Sequence, residues 1–126
     1  FRGDRSATKL SLLQEWAAAL QFPWYFGMNW GAFGECLYDL NEWMQPGPYL
    51  FVVTNADGIL TDSEDDFRIF LEILAHVSSK NLSAPGSSIA LLVHFKVILH
   101  AKQESESLLL SRLGKAGLEG VPCWSM

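Results

Sequence analysis

The chain has little cysteine: Cys36 and Cys123 are the only two in 126 residues, with neither the density of a disulfide framework nor a CxxC pair for metal or redox work. That excludes a disulfide-stapled secreted scaffold and makes a reducing cytoplasm the simplest home. Positive charge is also scarce. Nine Lys and Arg against fourteen Asp and Glu give a net charge of −5, which repels phosphate backbones and disfavours nucleic acid while attracting a basic protein. No apolar run reaches the ~18 residues a membrane span needs, and no signal-peptide core is present, so no membrane association is expected. There is no Gly-rich phosphate loop, and the acids from Asp57 to Asp66 lack the spacing and terminal Glu of an EF-hand loop. No cofactor or metal is therefore expected. The opening Phe1-Arg2-Gly3-Asp4 carries no Met and reads as the start of a fragment.

What is plentiful is core material. Apolar types make up 49% of the chain and aromatics 13%, and 126 residues suit one ordinary domain. Leu10, Leu13, Trp16, Ala17 and Leu20 recur at three- and four-residue spacing and predict a first amphipathic helix ending near Gln21, before Pro23. Residues 22–28 form an aromatic loop in which Gly27 is the residue suited to positive φ. Asn29 is a good N-cap for a second helix with Trp30, Phe33, Leu37, Leu40 and Met44 on one face, running to Pro46 and Gly47. Glu35, Asp39 and Glu42 fall on another stripe of that helix, at steps of four and seven.

Residues 49–53 and 89–93 are continuous apolar runs, the pattern of strands covered on both faces. Between them lies a third helix, capped by Asp62 or Ser63, with Glu64, Asp65 and Asp66 in its first turn and Phe67, Phe70, Leu71, Leu74 and Val77 facing the core. Leu109, Leu110 and Leu113 mark a last helix over residues 104–115. Strands separated by helical crossovers imply an α/β fold with a small parallel sheet. Two strands make a poor sheet, so a first strand, largely missing before Phe1, is expected between the other two.

The stretch from Phe22-Pro23-Trp24-Tyr25-Phe26-Gly27-Met28-Asn29-Trp30-Gly31-Ala32-Phe33 to Gly34-Glu35-Cys36-Leu37 is similar to the signature of the barstar family, intracellular protein inhibitors of bacterial ribonucleases. The shared pattern is Pro, any residue, two aromatics, Gly, any residue, Asn, a hydrophobic residue, an acid, Ala, a hydrophobic residue, two more positions, then Cys-Leu. The resemblance implies a three-stranded parallel sheet packed against helices, strand order 2-1-3 or its equivalent, over residues 1–95. Residues 96–126 are then an appended helical extension packed on the same domain. It also implies a mechanism: an acidic helix and an aromatic loop plug the ribonuclease active site, carboxylates replacing substrate phosphates. Carried over, Tyr25 matches an interface aromatic, Asn29 the residue opening the inhibitory helix, Glu35 the central acid and Cys36 a buried cysteine. Gly31 stands where the family places a second contacting Asp, and Gly34 where the best-known member has Trp.

The partner-binding residues expected are therefore Tyr25, Asn29, Gly31, Glu35, Asp39 and Glu42. Trp24 is expected to be exposed beside Tyr25, and Phe26 and Trp30 to lie inside. The leading function is an immunity protein against a basic ribonuclease. One alternative is a binding module of the same fold retargeted to another protein partner, with no ribonuclease inhibition, which Gly31, Gly34 and the extra C-terminal helix favour. Another is an enzyme using Cys36 with His76, His94 or His100, although no diagnostic spacing supports it and a non-enzymatic role is expected. The plain alternatives are a solvated acidic face and aromatics that serve the core.

Overall fold

A computed structural model of the chain describes residues 1–45, 48–82 and 94–118, with the side chains of 79–82 and 94 outside that description. Helix α1 (Lys9–Ala19) begins at a capping box: Ser11 N donates to Thr8 Oγ1 at 3.1 Å and Thr8 N donates to Ser11 Oγ at 3.0 Å. Its buried face is Leu12, Leu13, Trp16 and Leu20, whereas Leu10 is exposed, against expectation. At ~100° per residue those four lie within an arc of roughly 100°, and Leu10 falls outside it. Helix α2 (Trp30–Tyr38) is shorter than its apolar pattern suggests and tightens into a 3-10 turn over Leu40–Glu42. Helix α3 (Glu64–Leu82) is capped by Ser63, whose Oγ accepts from Asp66 N at 3.2 Å, and it buries Phe67, Phe70, Leu71, Leu74 and Val77.

Strands β1 (Pro48–Val53) and β2 (His94–Leu99) pair in parallel, from Pro48 with His94 to Val53 with Leu99. The expected run at residues 89–93 lies outside the described residues, and the described strand begins where that run ends. The strands are hydrogen-bonded neighbours, so nothing separates them, which corrects the expected order. Residues at the start of the chain take the other edge of β1. The Phe1 ammonium donates to Val52 O at 2.8 Å, Thr54 N to Phe1 O at 2.9 Å and Gly3 N to Thr54 O at 2.7 Å. Among the described residues this contact adds one bridge, Arg2 with Thr54, and the sheet has two strands.

Among the described residues the sheet is covered on one face, another departure from expectation. Phe51, Val53 and Phe95 are buried, while Leu50, Val52 and Ile98 point outward and are exposed. The inward face and all four helices share one core centred on Trp16. Its ring stacks on Phe1 at 3.8 Å and meets Phe33, Phe51 and Phe70 edge-on at 5.5 Å each. Helix α4 (Glu106–Lys115) contributes Leu109 and Leu113, but Leu110 is exposed; the third buried position on that stripe is Arg112. Arg112 Nε donates to Glu64 Oε1 at 3.0 Å, Nη1 to Asp57 O at 3.2 Å and Nη2 to Leu60 O at 3.1 Å, and its guanidinium lies 4.0 Å over the Phe67 ring. Helix α4 is thereby locked to the turn that precedes α3.

Candidate functional site

The aromatic loop owes its shape to two residues in left-handed conformation, Gln21 (φ 54°) and Met28 (φ 52°). Gly27, expected in that role, serves differently: a Cβ there would lie 2.9 Å from Asn29 Nδ2. A short turn closes the loop, with Phe26 N donating to Pro23 O at 3.0 Å. Phe22 packs below it on Phe26, Phe33 and Trp43. Trp24 and Tyr25 stand above, 96% and 65% exposed and edge-to-face at 5.9 Å. An almost fully exposed Trp on an anchored loop is a large apolar surface left to water, the feature expected of an interface anchor.

Asn29 opens α2 as expected. Its Oδ1 accepts from Ala32 N at 2.8 Å and its Nδ2 donates to Gly27 O at 3.1 Å. With its amide so engaged, Asn29 positions the helix start against the loop. Trp30 is half-buried; its Nε1 donates to Asp66 Oδ1 at 2.9 Å and Lys9 Nζ sits 5.5 Å over its ring. These contacts join the beginnings of α1, α2 and α3.

Past that junction α2 and α3 line an open groove of about 740 Å³. Of the expected residues, Gly31, Glu35 and Asp39 line it together. Tyr25 and Asn29 belong to the loop, and Glu42 falls away because the 3-10 turn, at three residues per turn, breaks the helical step that carried the stripe. Both Glu35 and Asp39 are exposed, and among the described residues neither forms an ion pair.

Four further groove residues were not singled out from sequence, Tyr38 on α2 and Ile69, Glu72 and Ile73 on α3, while His76, considered there only as a partner for Cys36, also lines the groove. Ile69, Ile73 and His76 repeat at steps of four and three, beside the core stripe of Phe67, Phe70, Leu71, Leu74 and Val77. A second such stripe on one helix was the available signal. Gly34 sits at the groove's floor, where an added Cβ would lie 3.5 Å from Ile73 Cγ2, ordinary contact.

Cys36 is buried behind α2 and does not line the groove. Burial pushes its thiol pKa up, and the charges of Asp39 and Glu35 push in the same direction. That opposes a thiolate nucleophile. His76 is exposed in the groove, and the side chain of His94 lies outside the described residues. Among the described residues no group of three His, Cys, Asp or Glu side chains is placed to hold a metal ion, and no helix is long and apolar enough to cross a membrane.

Residues 1–105 match a family model described as Barstar (barnase inhibitor). The match spans the aromatic loop, both groove helices, both strands and the 3-10 turn before α4. No curated protein and no solved structure matches the chain.

Proposed function

The chain belongs to the barstar family, and on that premise we propose that it inhibits a basic bacterial ribonuclease by covering the active site. The observation that carries this reading is the exposure, along residues 24–39, of two aromatic anchors followed by two carboxylates that no cation in the described fold neutralises. A ribonuclease must hold substrate phosphates with Lys or Arg. A surface that offers carboxylates at the end of a rigid aromatic platform competes for those cations and excludes the substrate. Glu35 is the central contact in this proposal, Asp39 and Tyr25 flank it, Asn29 holds the helix start and Gly31 admits the partner's surface closely. Glu42 joins from the rim. The role is that of an intracellular immunity protein in the cytoplasm, acting without cofactor or catalytic step.

A purified chain mixed with small basic bacterial ribonucleases should suppress RNA cleavage at one-to-one stoichiometry, with association slowing as salt rises. Absence of both inhibition and complex across such a panel would overturn the proposal. The open groove beside Gly31 and Gly34 favours a second reading, a module of this fold retargeted to a basic protein that is not a nuclease. Stable complex formation with such a protein, with no effect on any ribonuclease, would select it.

A further inference from the structure

We propose that the groove between α2 and α3 receives an arginine-bearing amphipathic segment of the protein partner, so that the partner inserts side chains into this chain as well as being plugged by it. The inference deepens the binding reading above and rests on it. Its floor and walls are apolar: Ile69, Ile73 and Val77 from α3, with Gly31 and Gly34 leaving the α2 wall bare. The volume, about 740 Å³, falls within the ~300–1,000 Å³ of sites that enclose ligands. Carboxylates appear at its edge, where Glu35, Asp39 and Glu72 are all exposed. Glu72 is held only by a solvent-exposed pair with Arg68 at 2.9 Å, which exchanges readily.

An apolar trough with an anionic edge selects its occupant. A purely apolar segment would desolvate the carboxylates without pairing them, and an acidic one would be repelled. A side chain with a long aliphatic stem and a cationic head satisfies both parts, the stem on Ile69 and Ile73 and the head among the acids. Arginine suits the place better than lysine, because its planar guanidinium pairs with carboxylates bidentately and stacks on the exposed Tyr38 ring. The segment fits as an amphipathic helix laid into the groove, apolar positions inward.

The test uses the full chain, isotopically labelled, titrated with a short helical peptide carrying Leu on one face and Arg along its flanks, and with the counterpart in which Glu replaces Arg. The Arg peptide should shift the amide resonances of Gly31, Gly34, Tyr38, Ile73 and His76, and the Glu peptide should not. Gly34→Met, which fills the floor, and Glu72→Lys, which reverses the edge on the α3 side, should each weaken the Arg peptide at least about tenfold. Should Gly34→Met fail to fold by circular dichroism, Glu72→Lys decides. Shifts centred on Trp24 and Tyr25, or unchanged affinity in the folded variants, overturn the inference. Ribonuclease inhibition undiminished in the folded variants would leave the proposed function standing and remove the groove. Peptide binding in the groove without inhibition of any nuclease would do the reverse.

Discussion

The α4 side of the molecule and the α2 side treat charge in opposite ways. On α4, Arg112 is buried and turns its whole guanidinium inward, to Glu64, to the carbonyls of Asp57 and Leu60 and to the Phe67 ring. On α2, Glu35 and Asp39 are exposed and form no ion pair among the described residues. A charge saturated by its own fold stabilises that fold and offers a partner nothing. A charge left in water adds little to folding and keeps its full capacity for a second molecule. The contrast separates a region whose charge is spent on the fold from one whose charges are left to solvent, the region proposed for recognition, within a single core.

The largest effect that would sharpen this contrast is on binding. Glu35→Ala should weaken a ribonuclease complex by about 2 to 5 kcal/mol, a range that complexes of this same family helped to establish, mainly through faster dissociation. Surface-binding kinetics would show it, and an unchanged off-rate would break the assignment of α2 to recognition. Next is Arg112→Met, which leaves the Asp57 carbonyl without its donor, takes one of two donors from the Leu60 carbonyl and strips Glu64 of its ion pair, and should lower stability by about 3 kcal/mol in urea unfolding. A loss confined to binding, with stability intact, would erase the distinction between the two sides. Gly34→Ala adds a Cβ at ordinary contact distance from Ile73 and improves helix propensity, so it should raise stability by about 0.5 to 1 kcal/mol. A destabilised variant would mean that the floor of the groove is already tight.

The smallest effect concerns the exposed pair of Arg2 and Glu15, at 3.0 Å. The side-chain hydrogen bond from Arg2 lowers the Glu15 pKa, despite an opposing effect of burial. A carboxylate with a depressed folded-state pKa contributes stability above its unfolded pKa and loses it as pH falls through the folded value. Wild type and Glu15→Gln should therefore differ slightly in urea midpoint at neutral pH and converge in acid. A gap that widens on acidification would contradict that sign.

Local features were readable in the sequence because their causes are local. Asn29 caps α2 through contacts within three residues, and the five core positions of α3 follow from one helical period. Gly31, Glu35 and Asp39 share a face for the same reason. Features set by distant segments were not readable. The order of the sheet depends on where residues 1–3 dock, and the outward faces of Leu50 and Val52 depend on helices covering one side only. Arg112 sits between Leu109 and Leu113 on a core stripe, and only the carbonyls of a remote turn show why a guanidinium fits there. Glu42 leaves the stripe of Glu35 and Asp39 because the sequence pattern continues while the α-helix does not.

The register of the sheet also bears on the time course of folding. Pro48 meets His94, 46 positions later, and every rung to Val53 with Leu99 keeps that separation. Closing a flexible loop of that length costs roughly 3 kcal/mol in chain entropy, and the first rung meets the whole of it while the later ones follow almost freely. Once α3 forms, 19 of the intervening residues become a rod of about 28 Å, which leaves less slack to close. A preformed α3 therefore lowers the entropic cost of pairing β1 with β2.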